Sequence, residues 1–160
     1  GTQQRGRGAG MVLDPIDFID RVEFRDAALL SFVTSAIIVP AYDTVKRETG
    51  ITRAEYLLLL CLSHFPALTA QDVSRLTGRP RNSISRAVHR MLEDGYLTRS
   101  PDPNDGRQVL LRITDKGRKL HSAIVPGFIA REQSLLNVLS DEVRFVLDRL
   151  LMKLVAQVID

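Results

Sequence analysis

The chain has 160 residues, a formal net charge of +3, 44% hydrophobic residues and 26% charged residues. That length carries one domain with a real core, and the composition is ordinary for a soluble globular protein. No uninterrupted apolar run reaches the roughly 18 residues that span a bilayer, no signal-peptide pattern is present, and a lone cysteine excludes an internal disulfide, which fits a cytoplasmic setting.

Residues 1–13 read as a flexible tail, in which Arg5 and Arg7 add to the charge. Residues 14–50 form an N-terminal helical region. Asp14-Pro15 supplies an N-cap and a first-turn proline. Apolar residues then recur near helical spacing through Leu29, Leu30, Val33 and Ile37. Pro40 predicts a kink or a break near Val39, because proline lacks an N–H and crowds the preceding turn. Gly50 ends the region.

Residues 51–114 form the second region. Thr52-Arg53-Ala54-Glu55 is a capping box before a helix that runs to about His64. Its apolar content is nearly all-round, so it should be central, with Cys61 a buried thiol. Thr69 caps a short helix that Gly78 terminates. Pro80 starts the next helix, whose buried stripe is Ile84, Val88, Met91 and Leu92, and Gly95 closes it. Two helices joined by a tight glycine-containing turn are a helix-turn-helix. Tyr96–Arg99 and Val109–Ile113 read as strands joined by the turn-rich SPDPNDGRQ, a hairpin wing.

Residues 115–160 form C-terminal helices. One is capped at Thr114, runs to about Leu139 and should bend at Pro126. Another starts after Ser140 and carries a long stripe from Val143 to Val158. That stripe exceeds what a small domain covers alone. A helical-bundle core and a homodimer interface both account for it, and the second is favoured. The predicted fold class is mainly α with a small antiparallel β-hairpin, a winged helix-turn-helix between flanking long helices.

Charge concentrates in one run. Leu76–Thr114 holds seven arginines against four acidic side chains, a surplus equal to that of the whole chain. A polyanion is the partner this suggests. No enzyme motif has the context it needs. Gly6, Gly8 and Gly10 lie in the tail, and Asp102 and Asp105 sit beside Arg107 in a turn, unsuited to acid–base work. His64, His89 and His121 are isolated in sequence, so neither a metal nor a cofactor is expected.

The run from Leu68 to Gly117 resembles the MarR family of transcriptional regulators. The specific piece is DPNDGRQVLLRITDKG, where Asp102, Pro103, Asp105, Arg107, Ile113, Thr114 and Gly117 fit the family's wing motif. Gly106 departs from it, since many members carry a basic residue there. The resemblance implies a dimeric DNA-binding protein joined through its first and last helices, a repressor whose DNA affinity a small-molecule effector modulates. On that reading Arg81, Asn82, Ser83, Ser85, Arg86 and His89 of the recognition helix face the major groove. Arg79 and Arg90 are expected at phosphates. Arg107 is expected in the minor groove, braced at its guanidinium by Asp105. Tyr42, His64 and His121 are candidate polar groups of a ligand crevice, with core packing the plainer account of them. The expected partner is double-stranded DNA with a pseudo-palindromic operator. The alternative is a winged helix used for protein contacts without specific DNA binding.

Overall fold

A computed structural model describes residues 12–159. The expected tail up to Met11 lies outside the described residues. The elements run α1 (Pro15–Arg21), α2 (Arg25–Thr49), α3 (Arg53–His64), α4 (Ala70–Thr77), α5 (Arg81–Glu93), β1 (Leu97–Pro101), β2 (Val109–Ile113), α6 (Asp115–Leu136) and α7 (Asp141–Ile159). Contacts divide the chain into two units that meet between Val39 and Pro40.

The first unit holds α1 and the opening turns of α2. Asp14 caps α1 by accepting the N–H of Ile16 at 3.0 Å, as the Asp-Pro pair predicts. Of the kink or break expected near Val39, the break does not occur. The helical region is interrupted at residues 22–24, where Val22 adopts an extended ψ of 132°, and Pro40 lies inside a continuous α2. The carbonyl that Pro40 leaves without a donor belongs to Ala36, which is exposed, so water can take the bond. Pro126 likewise sits inside a single α6, opposite exposed Ser122.

One further expectation needs amending. Although no uninterrupted apolar run is long enough, α2 contains an 18-residue window of mean hydropathy 1.6, long and apolar enough to cross a membrane by length and composition. The window is 11% buried, so most of its apolar surface is uncovered among the described residues.

The second unit is built on α3. Thr52 and Glu55 form both halves of the capping box, and Leu58, Leu59 and Leu62 are fully buried. Around them close Val73 of α4, Ile84, Ala87 and Met91 of α5, Leu97 of β1 and Leu111 of β2. Burying such side chains is worth about 1.5–3 kcal/mol each, which makes this cluster the main source of the unit's cohesion. Cys61 belongs to it, and burial pushes its thiol above the ordinary value, away from a reactive thiolate.

The hairpin pairs Leu97 with Ile113 and Pro101 with Val109 in antiparallel register. Strand β1 runs past the expected Arg99 to Pro101, a residue the edge of a sheet tolerates. A bridge from Leu68 to Leu111 adds the segment before α4 to the other edge of β2. Gly117 closes the joint between wing and α6. A Cβ there would lie 2.5 Å from the Tyr96 carbonyl oxygen and 2.7 Å from Ile113 Cγ1, so only glycine fits. On α7, Val143, Val146, Leu150, Leu151, Leu154, Val155 and Val158 are all exposed. The stripe is therefore not covered within the second unit among the described residues.

Candidate nucleic-acid interface

The helix-turn-helix is set by its caps. Thr69 accepts the N–H of Asp72 at 3.1 Å, and Asp72 returns the bond to the Thr69 N–H at 2.9 Å. Gly78, at φ +69°, turns the chain between α4 and α5, and Ser74 Oγ donates to the Arg79 carbonyl at 2.6 Å. Helix α5 follows Pro80, which offers no side-chain cap, and while Asn82 Oδ1 accepts the Ser83 N–H at 2.9 Å, the amides of Arg81 and Asn82 have no side-chain acceptor.

Because Ile84, Ala87 and Met91 face the core, Asn82, Ser85, Arg86 and His89 fall on the opposite, exposed face at helical spacing. Ser83 is half-buried beside them. Arg81 at the start of α5 is exposed, and its Nη1 donates to Gln71 Oε1 of α4 at 3.1 Å. The five residues therefore form one outward probe with an arginine oriented at its tip.

The wing turns on two aspartates. Asp102 Oδ1 accepts the Asn104 N–H at 2.9 Å and Asp105 Oδ1 accepts the Arg107 N–H at 3.1 Å. Asp102 and Gln108 close the base of the turn through a 2.9 Å backbone bond. The expected brace between the Asp105 carboxylate and the Arg107 guanidinium is not what forms. The carboxylate serves the backbone, because a turn brings the amide two residues on closer than a long side chain's end.

Between probe and wing lies a cleft of about 540 Å³, lined among others by Gln71, Arg75, Arg81, Arg99, Arg107 and Gln108. It joins Arg81 and Arg107, foreseen from the sequence, to Arg75 and Arg99, which were not. Arg99 lies two residues after the buried Leu97 on β1 and so shares its face, which means strand alternation gave no signal for it.

Two residues expected at phosphates also have surroundings within the protein. Arg79 is half-buried at the turn with its Nε enclosed and unpaired, and its charge is felt at the Tyr42 phenol. Arg90 directs its guanidinium to Glu55, Asp94 and the Gly50 carbonyl.

The three residues proposed for a ligand crevice do gather, around a fourth that the sequence hid. Tyr56 lies in a leucine run and reads as core. Its hydroxyl is 3.4 Å from His121 Nδ1, and its ring stacks on Phe128 at 5.1 Å. Tyr42 meets both Tyr56 and Phe128 edge-on, His64 meets His121 edge-on at 6.3 Å, and Arg53 lies 5.0 Å over the Tyr42 ring. Burial pushes the Tyr56 phenol up to about 12. Burial first, then the charges of His64 and Arg118, hold the His121 imidazole below its ordinary value. Both groups are thus kept neutral. Among the described residues no cluster of metal-ligating side chains occurs.

A helix-turn-helix with an exposed polar probe, followed by an arginine-bearing hairpin, defines a winged-helix protein of the nucleic-acid-binding type. Residues 49–108 match the model of the MarR family. The HTH-type transcriptional regulator YybA of Bacillus subtilis is 21% identical over 89% of this chain and 88% of its own length. Two solved structures share the fold. A MarR/EmrR family regulator from Acinetobacter sp. ADP1 is 24% identical, covering 88% of this chain and 96% of that one, with a TM-score of 0.74. BpsR of Bordetella bronchiseptica is 25% identical, covering 83% and 96%, with a TM-score of 0.71. The region from residue 49 to residue 108 is thus similar to the MarR family of transcriptional regulators, and the fold around it is that of solved members.

Proposed function

We propose that this DNA-binding regulator is a homodimeric repressor that reads a pseudo-palindromic operator and releases it when a small aromatic anion binds. The observation that carries the DNA-reading half is the cleft that joins Arg81 at the tip of α5 to Arg107 of the wing, with Arg75 and Arg99 between them. Asn82, Ser85, Arg86 and His89 enter the major groove, where Arg suits guanine and Asn suits adenine. Ser83 and the open N-terminus of α5 hold phosphate, as do Arg75 and Arg99. Arg107 enters the adjacent minor groove.

The dimer reading is supported by the apolar faces of α2 and α7, which stay exposed in the single chain. A second copy covers them and sets the spacing of the two probes. Bound across its operator, such a dimer blocks access to the DNA beneath it. The effector reading is supported by the half-buried rings of Tyr42 and Phe128, packed on the buried Tyr56 with Arg53 at their edge, an aromatic and cationic rim suited to a flat ring carrying negative charge. DNA binding by the structural relative BpsR is regulated by 6-hydroxynicotinic acid.

Selection of bound duplexes from random-sequence DNA, followed by footprinting, tests the operator. The expected result is an enriched site with two half-sites about 10 bp apart or a multiple of that. A footprint over one half-site would contradict the dimer. A thermal-shift series with benzoate and 6-hydroxynicotinate tests the effector, with stabilisation and loss of DNA binding expected together. Benzoate or 6-hydroxynicotinate that stabilises the protein without releasing DNA would contradict the switch.

A further inference from the structure

Arg90 stands where three elements meet. It lies in the last turn of α5, on the same side as the DNA-facing stripe, yet its side chain turns back. Nη2 donates to the carbonyl of Gly50 at 3.3 Å. Gly50 ends α2 at φ +75° and donates its own N–H to Lys46 at 2.8 Å. Nη1 lies 3.6 Å from Glu55 Oε1, and Nε lies 3.8 Å from Asp94 Oδ2.

Glu55 is the reason this arrangement matters. It is 3% exposed, the one charged side chain buried among the described residues. Its Oε1 accepts the Thr52 N–H at 2.9 Å as part of the capping box of α3. A buried carboxylate is tolerated when it is paired, and Arg90 is the cation it faces. The guanidinium therefore holds a carboxylate at the start of α3 and a carbonyl at the end of α2 together. A planar fork reaches these partners through three separate nitrogens, whereas lysine gathers its three donors on one compact ammonium with a shorter span.

We infer that Arg90 is a positioning residue, fixing the angle of α5 against the α2–α3 junction, and not a phosphate contact. The inference rests on the reading of α5 as the DNA-reading helix. It adds a route for regulation, because the junction that orients the probe is the one from which α2 departs. A shift at the end of α2 reaches α5 through the polar contacts of Arg90, beside the shared core that Val45 and Ile51 form with Ile84, Ala87 and Met91.

The test uses the full chain, the duplex enriched from random DNA and a scrambled duplex of equal length. The variants are Arg90→Lys, Arg90→Met, Glu55→Gln and the Met/Gln double variant, with folding followed by circular dichroism and thermal melting. Arg90→Lys and Arg90→Met are each expected to weaken the enriched duplex about tenfold, while scrambled-duplex affinity and the slope of log K against log salt stay at wild-type values. Glu55→Gln should weaken binding similarly, and the double variant should bind no worse than Arg90→Met. Near-normal binding by Arg90→Lys, or a slope lower by about one unit in Arg90→Met, overturns the inference in favour of a phosphate contact. Additive losses in the double variant overturn it too. If Arg90→Met fails to fold, Arg90→Lys and Glu55→Gln carry the test. If the wild type enriches no duplex, the reading of α5 fails and takes this inference with it. An enriched duplex with Arg90→Lys like wild type defeats the inference alone.

Discussion

Asp105 Oδ1 accepts the backbone N–H of Arg107 at 3.1 Å, so the carboxylate nearest the wing arginine fixes the turn and leaves the guanidinium free. This separates two roles that neighbouring opposite charges usually share. Asparagine keeps the accepting oxygen and alanine does not. Asp105→Asn should therefore bind DNA at least as tightly as wild type, with one negative charge removed near the phosphates. Asp105→Ala should weaken binding severalfold by loosening the wing. Arg107→Ala should cost about 1–3 kcal/mol, tenfold or more in affinity, with the fold intact. Equal losses for Asp105→Asn and Asp105→Ala in a fluorescence-anisotropy titration would show that the carboxylate acts by its charge after all.

Gly117→Ala should destabilise the winged helix. The added methyl meets the Tyr96 carbonyl oxygen at 2.5 Å, Ile113 Cγ1 at 2.7 Å and Leu59 Cδ2 at 3.3 Å. Backbone and core cannot both move aside, so a cost of about 1–3 kcal/mol is expected, seen as a Tm lower by several degrees. A Tm unchanged from wild type would mean that the joint between wing and α6 is looser than its geometry.

The reach of the sequence is clear from particular residues. Thr52 and Glu55 announced α3 to its first residue, and the alternation of Val109–Ile113 marked β2 in full, because caps and strand periodicity are local signals. Pro40 misled because its cost depends on whether the orphaned carbonyl is wet, and Ala36 is exposed. The break at residues 22–24 carries neither glycine nor proline to announce it. Tyr56 was hidden for another reason. Its partner His121 lies 65 residues away, and only the packing of α3 against α6 brings them together. Arg90 was expected at a phosphate by charge and position, and its contact with the Gly50 carbonyl, 40 residues away, is one the sequence does not show.

The Tyr56–His121 pair gives the stability a pH dependence. Folding holds His121 below its ordinary value of 6.5, so as pH falls below 6.5 the unfolded chain takes up a proton first. Stability should therefore fall with decreasing pH until the folded imidazole also protonates, and rise again on the way back to 6.5. His121→Phe should flatten that limb in urea melts taken across this range. At the alkaline end, the Tyr56 phenol ionises in the unfolded chain near 10 but in the folded chain at about 12, so stability should decline between them. A His121→Phe profile identical to wild type would assign the acid limb to other groups.

Leu150 stands near the middle of the exposed stripe of α7. A charge there meets its own copy or an apolar surface in a symmetric dimer, and both are costly. Leu150→Arg should shift sedimentation from dimer to monomer and reduce affinity for the full operator at least tenfold, as each half-site is then bound alone. A variant that stays dimeric would place the interface on another face.

Competition between the enriched duplex and a scrambled duplex of equal length, at one fixed physiological salt concentration, bears most directly on the claim that α5 and the wing read DNA sequence. The wild-type protein should prefer the enriched duplex by about 10³ or more, and Asn82→Ala with Arg86→Ala should remove most of that preference while leaving scrambled-duplex affinity nearly unchanged. Equal affinity of the wild type for the two duplexes would contradict it.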